Sequence, residues 1–271
     1  MLSTGDALEV EKSANMNRVK KNEAELDAIR GRSGDVLGHP TSLILVAGHA
    51  IVRRLDSLES DEGWFLKHFQ AGEAKSYIEH VRHGVILASG EPDAILLFAG
   101  GQTDSQAGPR SESQGYWLVA DHFDWFGHRH VIPRASTEEF SMDSFENLLF
   151  GLCRFKELTG SYPENLTVVG WNFKRYRFEM HRGALHFPLH RFRYEGVGDP
   201  PDLATNQHFE GLRRAMFKDD PFGQSEEAAR KKRVRNFSCR QHGYHKSCPE
   251  ITSLLDGQVP TGREIMLPWG E

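Results

Sequence analysis

The apolar positions of this chain fall into short blocks of two kinds. Unbroken, β-prone runs occur at Leu43-Ile44-Leu45-Val46-Ala47, at Ala94-Ile95-Leu96-Leu97-Phe98-Ala99 and at Leu166-Thr167-Val168-Val169, and each ends at glycine. Runs of this length suit strands buried on both faces of a parallel sheet. Between them the apolar period becomes helical. A helix is expected over 73–86 with Ile78, Val81 and Val85 on one face, and others over 111–122 and 174–184. A fourth, over 141–158, gathers Met142, Phe145, Leu149, Leu152 and Phe155 into one stripe. Ser141 is its expected N-cap and Gly160 its stop. Residues 131–133 are expected to form an edge strand ending at Pro133, and 191–197 a further strand. This alternation predicts a three-layer α/β/α sandwich around a mainly parallel, Rossmann-like sheet. Ligands of such sheets bind beyond the carboxyl ends of the strands.

The pattern fades at both ends. Residues 1–40 are polar, with weak helical stretches over 7–19 and 22–29, and read as an N-terminal extension. The α/β core spans 41–200. Beyond it come a helix over 206–217, a DDPFG turn, a helix over 226–234 carrying the basic run RKKRVR, and a short helix over 250–255. Residues 201–271 are therefore expected as a C-terminal extension packing on the core. A length of 271 residues suits one domain with extensions.

Composition narrows the class. Hydrophobic residues make up 38%, charged residues 26%, and the net charge is -5. The chain as a whole is not drawn to nucleic acid. The RKKRVR run reads as a solvated face, or as the rarer import or nucleic-acid patch. No apolar run approaches the ~20 residues of a membrane helix. The N-terminus lacks the basic-then-apolar order of a secretory signal. A cytoplasmic protein that does not enter membranes is expected. Three cysteines at wide spacing fit a reducing compartment better than a disulfide framework. Cys153 reads as a small buried hydrophobe. Cys239, His242, His245 and Cys248 have an irregular spacing for zinc, and the expectation is reduced, metal-free thiols.

Chemistry concentrates at the strand ends: Gly48-His49, Gly100-Gly101-Gln102-Thr103 and Gly170-Trp171-Asn172. Glycine allows close backbone approach to a ligand, and a following helix favours an anion there. No GxGxxG or GxxxxGK[ST] motif is present. Arg110 and Glu112 follow the glycine pair. Glu139, Asp143, Glu146 and Asn147 surround the start of the 141–158 helix, where capping explains the acids equally well. Lys174, Arg177 and His181 share one helical face that can hold a phosphate or carboxylate, the alternative being a solvated charged helix. His49, Glu112, Glu139 and Glu146 are the acid–base candidates. Gly48, Gly100, Gly101, Gln102, Thr103, Arg110, Asn147, Lys174, Arg177 and His181 are the binding candidates. The three glutamates can also be drawn around Mg²⁺, but the sequence fixes no metal and no cofactor.

Five segments together resemble the YdcF-like domain family, whose members include SanA-type and ElyC-type proteins. They are LILVAGHAIV, LLFAGGQT, RSESQGYW, EEFSMDSFENLLF and VVGWNFKRYRFEMHRGAL, within residues 42–200. The resemblance is closest to the soluble fungal branch. It places the family's glycine pair on Gly100 and Gly101, its helix glutamate on Glu112 and its basic helix residue on Arg177. It also places the acidic and amide pattern on Glu139, Ser144, Glu146 and Asn147, which adds Ser144 to the binding candidates. Four positions depart from the bacterial pattern: Gly170-Trp171 in place of Thr-Ser, Lys174 in place of His, and His49 in place of Gly. The resemblance implies a Rossmann-like sandwich and no settled reaction. The expected function is a hydrolase or group transferase on a small anionic substrate of the phosphate- or nucleotide-bearing kind. The alternatives are a non-catalytic binder of a nucleotide-like ligand or S-adenosyl-methionine, and a scaffold using Trp125-Phe126 as a contact surface.

Overall fold

The computed structural model describes residues 40–258 and 267–269, all within the unit Pro40–Glu271. The helical stretches expected over 7–19 and 22–29 lie outside them. Strand β1 (Ser42–Ala47) is buried along its whole length. It leads into a small antiparallel hairpin of β2 (Ile51–Val52) and β3 (Trp64–Phe65). The core continues with helix α1 (Ala74–Gly90), β4 (Ala94–Ala99), α2 (Glu112–His122), β5 (Ala135–Glu138), α3 (Ser144–Thr159), β6 (Asn165–Gly170), α4 (Arg175–Ala184) and β7 (Phe192–Gly196). Helices α5 (Leu203–Asp219), α6 (Glu226–Arg235), α7 (Tyr244–Ser247) and α8 (Thr252–Leu255) follow.

The five long strands form one sheet in the order β5-β4-β1-β6-β7, and every pair is parallel. The chain builds outward from β1 to β5, then returns past β1 to begin β6 on its other side. The boundary between β1 and β6 is the topological switch point, where the strand-end loops diverge and leave a crevice. Gly84 of α1 lies against Val46, and Gly151 of α3 lies against Leu45. Neighbouring strand residues point to opposite faces, so α1 and α3 cover the two faces of β1. This is the three-layer α/β/α sandwich. Among the described residues, no helix is long and apolar enough to cross a membrane.

The contact at Gly84 is tight enough to test. A Cβ there would sit 2.3 Å from Val46 Cγ2. Valine has few rotamers to escape into. Overpacking of this kind costs about 1–3 kcal/mol, against roughly 1 kcal/mol gained by alanine's helix propensity. Gly84→Ala should therefore lower unfolding stability, by up to about 2 kcal/mol, in a urea titration.

Two boundaries differ from the expectation. Residues 129–134 form a 3₁₀ turn containing Pro133, and the edge strand begins after it, at Ala135. Proline has no N–H for the ladder, while an edge strand open on one side needs no apolar block. Helix α3 starts at Ser144, with Asp143 rather than Ser141 as N-cap. The Asp143 carboxylate accepts the Glu146 amide at 2.9 Å, and Glu146 reaches back to accept the Met142 amide at 2.7 Å. Gly160 ends this helix at φ +86°.

Candidate functional site

A cavity of about 160 Å³ opens at the switch point, beyond the carboxyl ends of β1, β4 and β6. Gly48, His49 and Ile51 enter it from the end of β1 and the strand after it. Phe65, Lys67, Phe69 and Gln70 close one side from the hairpin and the turn that follows. Thr103, Asp104 and Glu112 come from the loop after β4 and the start of α2. The segment leading into α3 and its first turn contribute Ser141 to Ser144 and Asn147, and α4 with its N-cap contributes Lys174, Arg177 and Phe178. The far wall is Arg213 and Phe217 from α5, with Lys231 and Arg235 from α6.

Eight of the expected site residues thus line one cavity: Gly48, His49, Thr103, Glu112, Ser144, Asn147, Lys174 and Arg177. Gly100 and Gly101 stand behind it. The Glu112 carboxylate packs between Gly48 and Gly100, where an added Cβ would lie 2.7 and 2.6 Å from Oε2. Gly100 also has φ +150°. Gly101 donates its amide to the Ser141 carbonyl at 2.9 Å and so fixes the loop before α3. His181 reaches the cavity only through Ser144, whose Oγ lies 2.8 Å from its Nε2. It is otherwise enclosed by Phe145, Phe178 and Phe217.

The remaining candidates are engaged elsewhere. Gln102 donates to the Pro109 carbonyl and accepts from Ser238. Arg110 donates to the Ala107 carbonyl and stacks over Phe65 at 4.7 Å. Glu139 accepts from Gln114 and Thr137 and faces Arg240 at 3.5 Å. Glu146 pairs with Lys232 at 2.9 Å.

Several lining residues carried no local signal in the sequence. Lys67 and Gln70 sit in an irregular segment. Gln70 donates to the His49 carbonyl at 2.8 Å and to Tyr77, tying that segment to the end of β1. Within RKKRVR, Arg230, Arg233 and Val234 are the solvated face, while Lys231 and Arg235 line the cavity and Lys232 holds Asp143 and Glu146. Lys231 and Arg235 follow Ala228 by three and seven residues, and the structure buries Ala228 on that face.

Burial dominates the electrostatics. Lys174 is brought down to about 7 by burial, reinforced by Arg177 and Arg213. Its Nζ stands 3.2 Å from His49 Nδ1. Burial and then Lys174 hold His49 well below its ordinary value, so its imidazole is neutral. With Nδ1 facing the lysine, Nε2 has no hydrogen-bond partner among the described residues. Arg177, almost fully buried, lies 3.2 Å from Glu210 Oε1 through Nε, an ion pair without the alignment of a hydrogen bond. Burial raises Glu112 above the usual carboxylate range, opposed by the Thr103 hydroxyl that donates to it. Burial and Asp143 raise Glu146 to about 7. Burial also pushes Asp143 up, but Lys232 and the Glu146 amide outweigh it and hold Asp143 below its ordinary value. Such a site can bind a compact anion and offers the Glu112 carboxyl beside it.

The cysteines are arranged otherwise than a four-residue zinc site would need. Cys248 is buried against Cys153, 3.9 Å from its carbonyl, while Cys239 is exposed. His242 stacks on His245 at 5.1 Å. Among the described residues, no group of three or more His, Cys, Asp or Glu is placed to hold a metal ion.

No family model matches the chain, and no solved structure matches it. It is similar to YOR238W, an uncharacterized protein of Saccharomyces cerevisiae, at 26% identity over 295 residues covering 84% of this chain and 96% of the yeast protein.

Proposed function

We propose that this cavity binds a small phosphate-bearing molecule and that the chain is a hydrolase or group transferase acting on it. One observation carries the reading: Lys67, Lys174, Arg177, Arg213, Lys231 and Arg235 line a cavity whose lining acids are Asp104, Glu112 and Asp143. Its volume is below the ~300–1,000 Å³ of typical ligand pockets, which suits a compact anion or the anionic end of a larger molecule. In this reading Lys174 and Arg177 hold the anion. Ser144, positioned by His181, and Asn147 donate to it from the start of α3, where the helix dipole also favours negative charge. Glu112 is the acid or base. The neutral His49 orients Lys174. We also propose membership of the YdcF-like family, supported by the resemblance of the five segments and by a sheet of the kind that family implies.

The first test is mass spectrometry of small molecules that co-purify with the native protein; a phosphate-bearing ligand is expected. The second uses sulfate, whose charge is constant between pH 6 and 9. Lys174 is cationic below about 7 and loses that charge above it. Lys231, brought down to about 8 chiefly by burial, follows. Sulfate affinity should therefore fall about 10-fold from pH 6 to pH 9, one charge-assisted contact being worth roughly 1.5–3 kcal/mol. In Lys174→Met the slope should be shallower and the affinity at pH 6 lower. Affinity independent of pH, and equal in the two proteins, would remove Lys174 from the site. Binding without turnover of any phosphate ester or anhydride would favour the non-catalytic alternative.

A further inference from the structure

The cations of the cavity come from two directions. Lys174 stands at the N-cap of α4 and Arg177 lies in its first turn, just after β6, as part of the α/β core. Arg213 comes from α5, and Lys231 and Arg235 come from α6. The last two are four residues apart and share a helical face. The acids nearby are largely spent. Glu210 is held by Arg177, Asp143 and Glu146 by Lys232, and Asp104 by Lys67. Glu112 accepts from Thr103. Among the described residues Arg213 and Lys231 have no ion pair, and Arg235 donates to the Met142 carbonyl. Arg213 belongs to both groups: its charge acts on Lys174 on one side and on Lys231 on the other.

Holding such charges together in a partly dry space is unfavourable. Like charges repel far more strongly there than in water. A single phosphate ester offers three terminal oxygens. One arginine alone presents five N–H donors. A monophosphate on Lys174 and Arg177 therefore leaves the cations of α5 and α6 facing one another. Two adjoining phosphates would answer both groups, with Arg213 between them.

We propose that α5 and α6 complete a second anionic subsite, and that the ligand carries two phosphate groups joined as a phosphoanhydride. The inference rests on the phosphate-binding reading above and extends it. The α5–α6 segment is then part of the recognition machinery, and loss of either helix removes the second subsite.

The test is calorimetry on the full chain with inorganic phosphate, inorganic diphosphate and ADP, at neutral pH, low salt and no divalent metal. Diphosphate should bind at least about 30-fold more tightly than phosphate, and that ratio should drop below about 5 in Arg213→Met and in Lys231→Met, the preference being worth about a decade and a half of affinity. Circular dichroism and melting curves establish that each variant is folded, and either one suffices. ADP matching diphosphate assigns the ligand to nucleoside diphosphates. Diphosphate binding well above ADP assigns it to the free anhydride or other esters of it. Both outcomes support two subsites. Phosphate and diphosphate within threefold of each other, or a ratio intact in both variants, overturns the second subsite and leaves the phosphate-binding reading standing. If neither anion binds, both fall.

Discussion

Glu112→Gln should lower kcat on the cognate phosphate compound by about 10²–10⁴-fold while leaving KM within a few-fold, as expected when a general acid or base is removed without removing ground-state contacts. The substitution is nearly isosteric. It keeps an oxygen for the Thr103 hydroxyl to donate to. It also fits the space left by Gly48 and Gly100, the reason those positions cannot carry a Cβ. What changes is the ability to hold or release a proton. Burial, the largest influence on this group, raises its pKa and so brings it toward the range where acid–base work at neutral pH is efficient. The stability control has a definite sign. A carboxyl whose folded pKa is raised destabilises the fold at pH values above its unfolded value, where the buried charge must be carried. Glu112→Gln removes that cost, so at pH 8 the variant should melt no lower than the parent. A folded variant with full kcat would return Glu112 to a packing role.

What could be read from the sequence follows from how locally each feature is determined. Strands β1, β4 and β6 were legible because two covered faces demand unbroken apolar runs. Strand β5 was not, because Ala135-Ser136-Thr137-Glu138 lies at an edge, half-buried, and needs no such run. Gly100 and Glu112 were legible as a strand-end pair, though not the reason for it, which is a carboxylate lying over a bare backbone. The N-cap of α3 was misplaced by two residues because Ser141 and Asp143 are both good caps, and only the Glu146 amide bonded to Asp143 and the Met142 amide bonded to Glu146 choose between them. Arg213, Lys231 and Arg235 are of another kind. Which face of a charged helix turns inward is set by docking onto the core, and a run such as RKKRVR looks the same whether it faces water or a cavity. Glu210, which lies on α5, was hidden for the same reason.

The Arg177–Glu210 pair gives the largest expected change in stability. Arg177→Met should lower the unfolding free energy by about 3–5 kcal/mol, because it leaves an uncompensated charge where a buried pair stood. Glu210 is 2% exposed, and neither carboxylate oxygen has a hydrogen-bond partner among the described residues. With the guanidinium gone, this buried carboxyl group has no partner in the packing of α5 on α4. Glu210→Met should cost a comparable amount through Arg177, whose guanidinium would then face Lys174 and Arg213 without relief. The double variant Arg177→Met/Glu210→Met should recover most of the loss, since two apolar chains of similar volume can replace a buried ion pair at little cost. A coupling energy of several kcal/mol from this cycle, read from urea unfolding with unchanged m-values, is the expected result. Additive single losses under 1 kcal/mol would mean that the two groups are not coupled in a dry site. The double variant then separates fold from function. It keeps α5 packed on α4 but removes one cation from the cavity, so it should be stable and bind sulfate about 10-fold more weakly, a loss of one charge-assisted contact. The pair would then be retained for the anion: Glu210 holds Arg177 in place while the cavity is empty, and the arginine is already oriented when a ligand arrives.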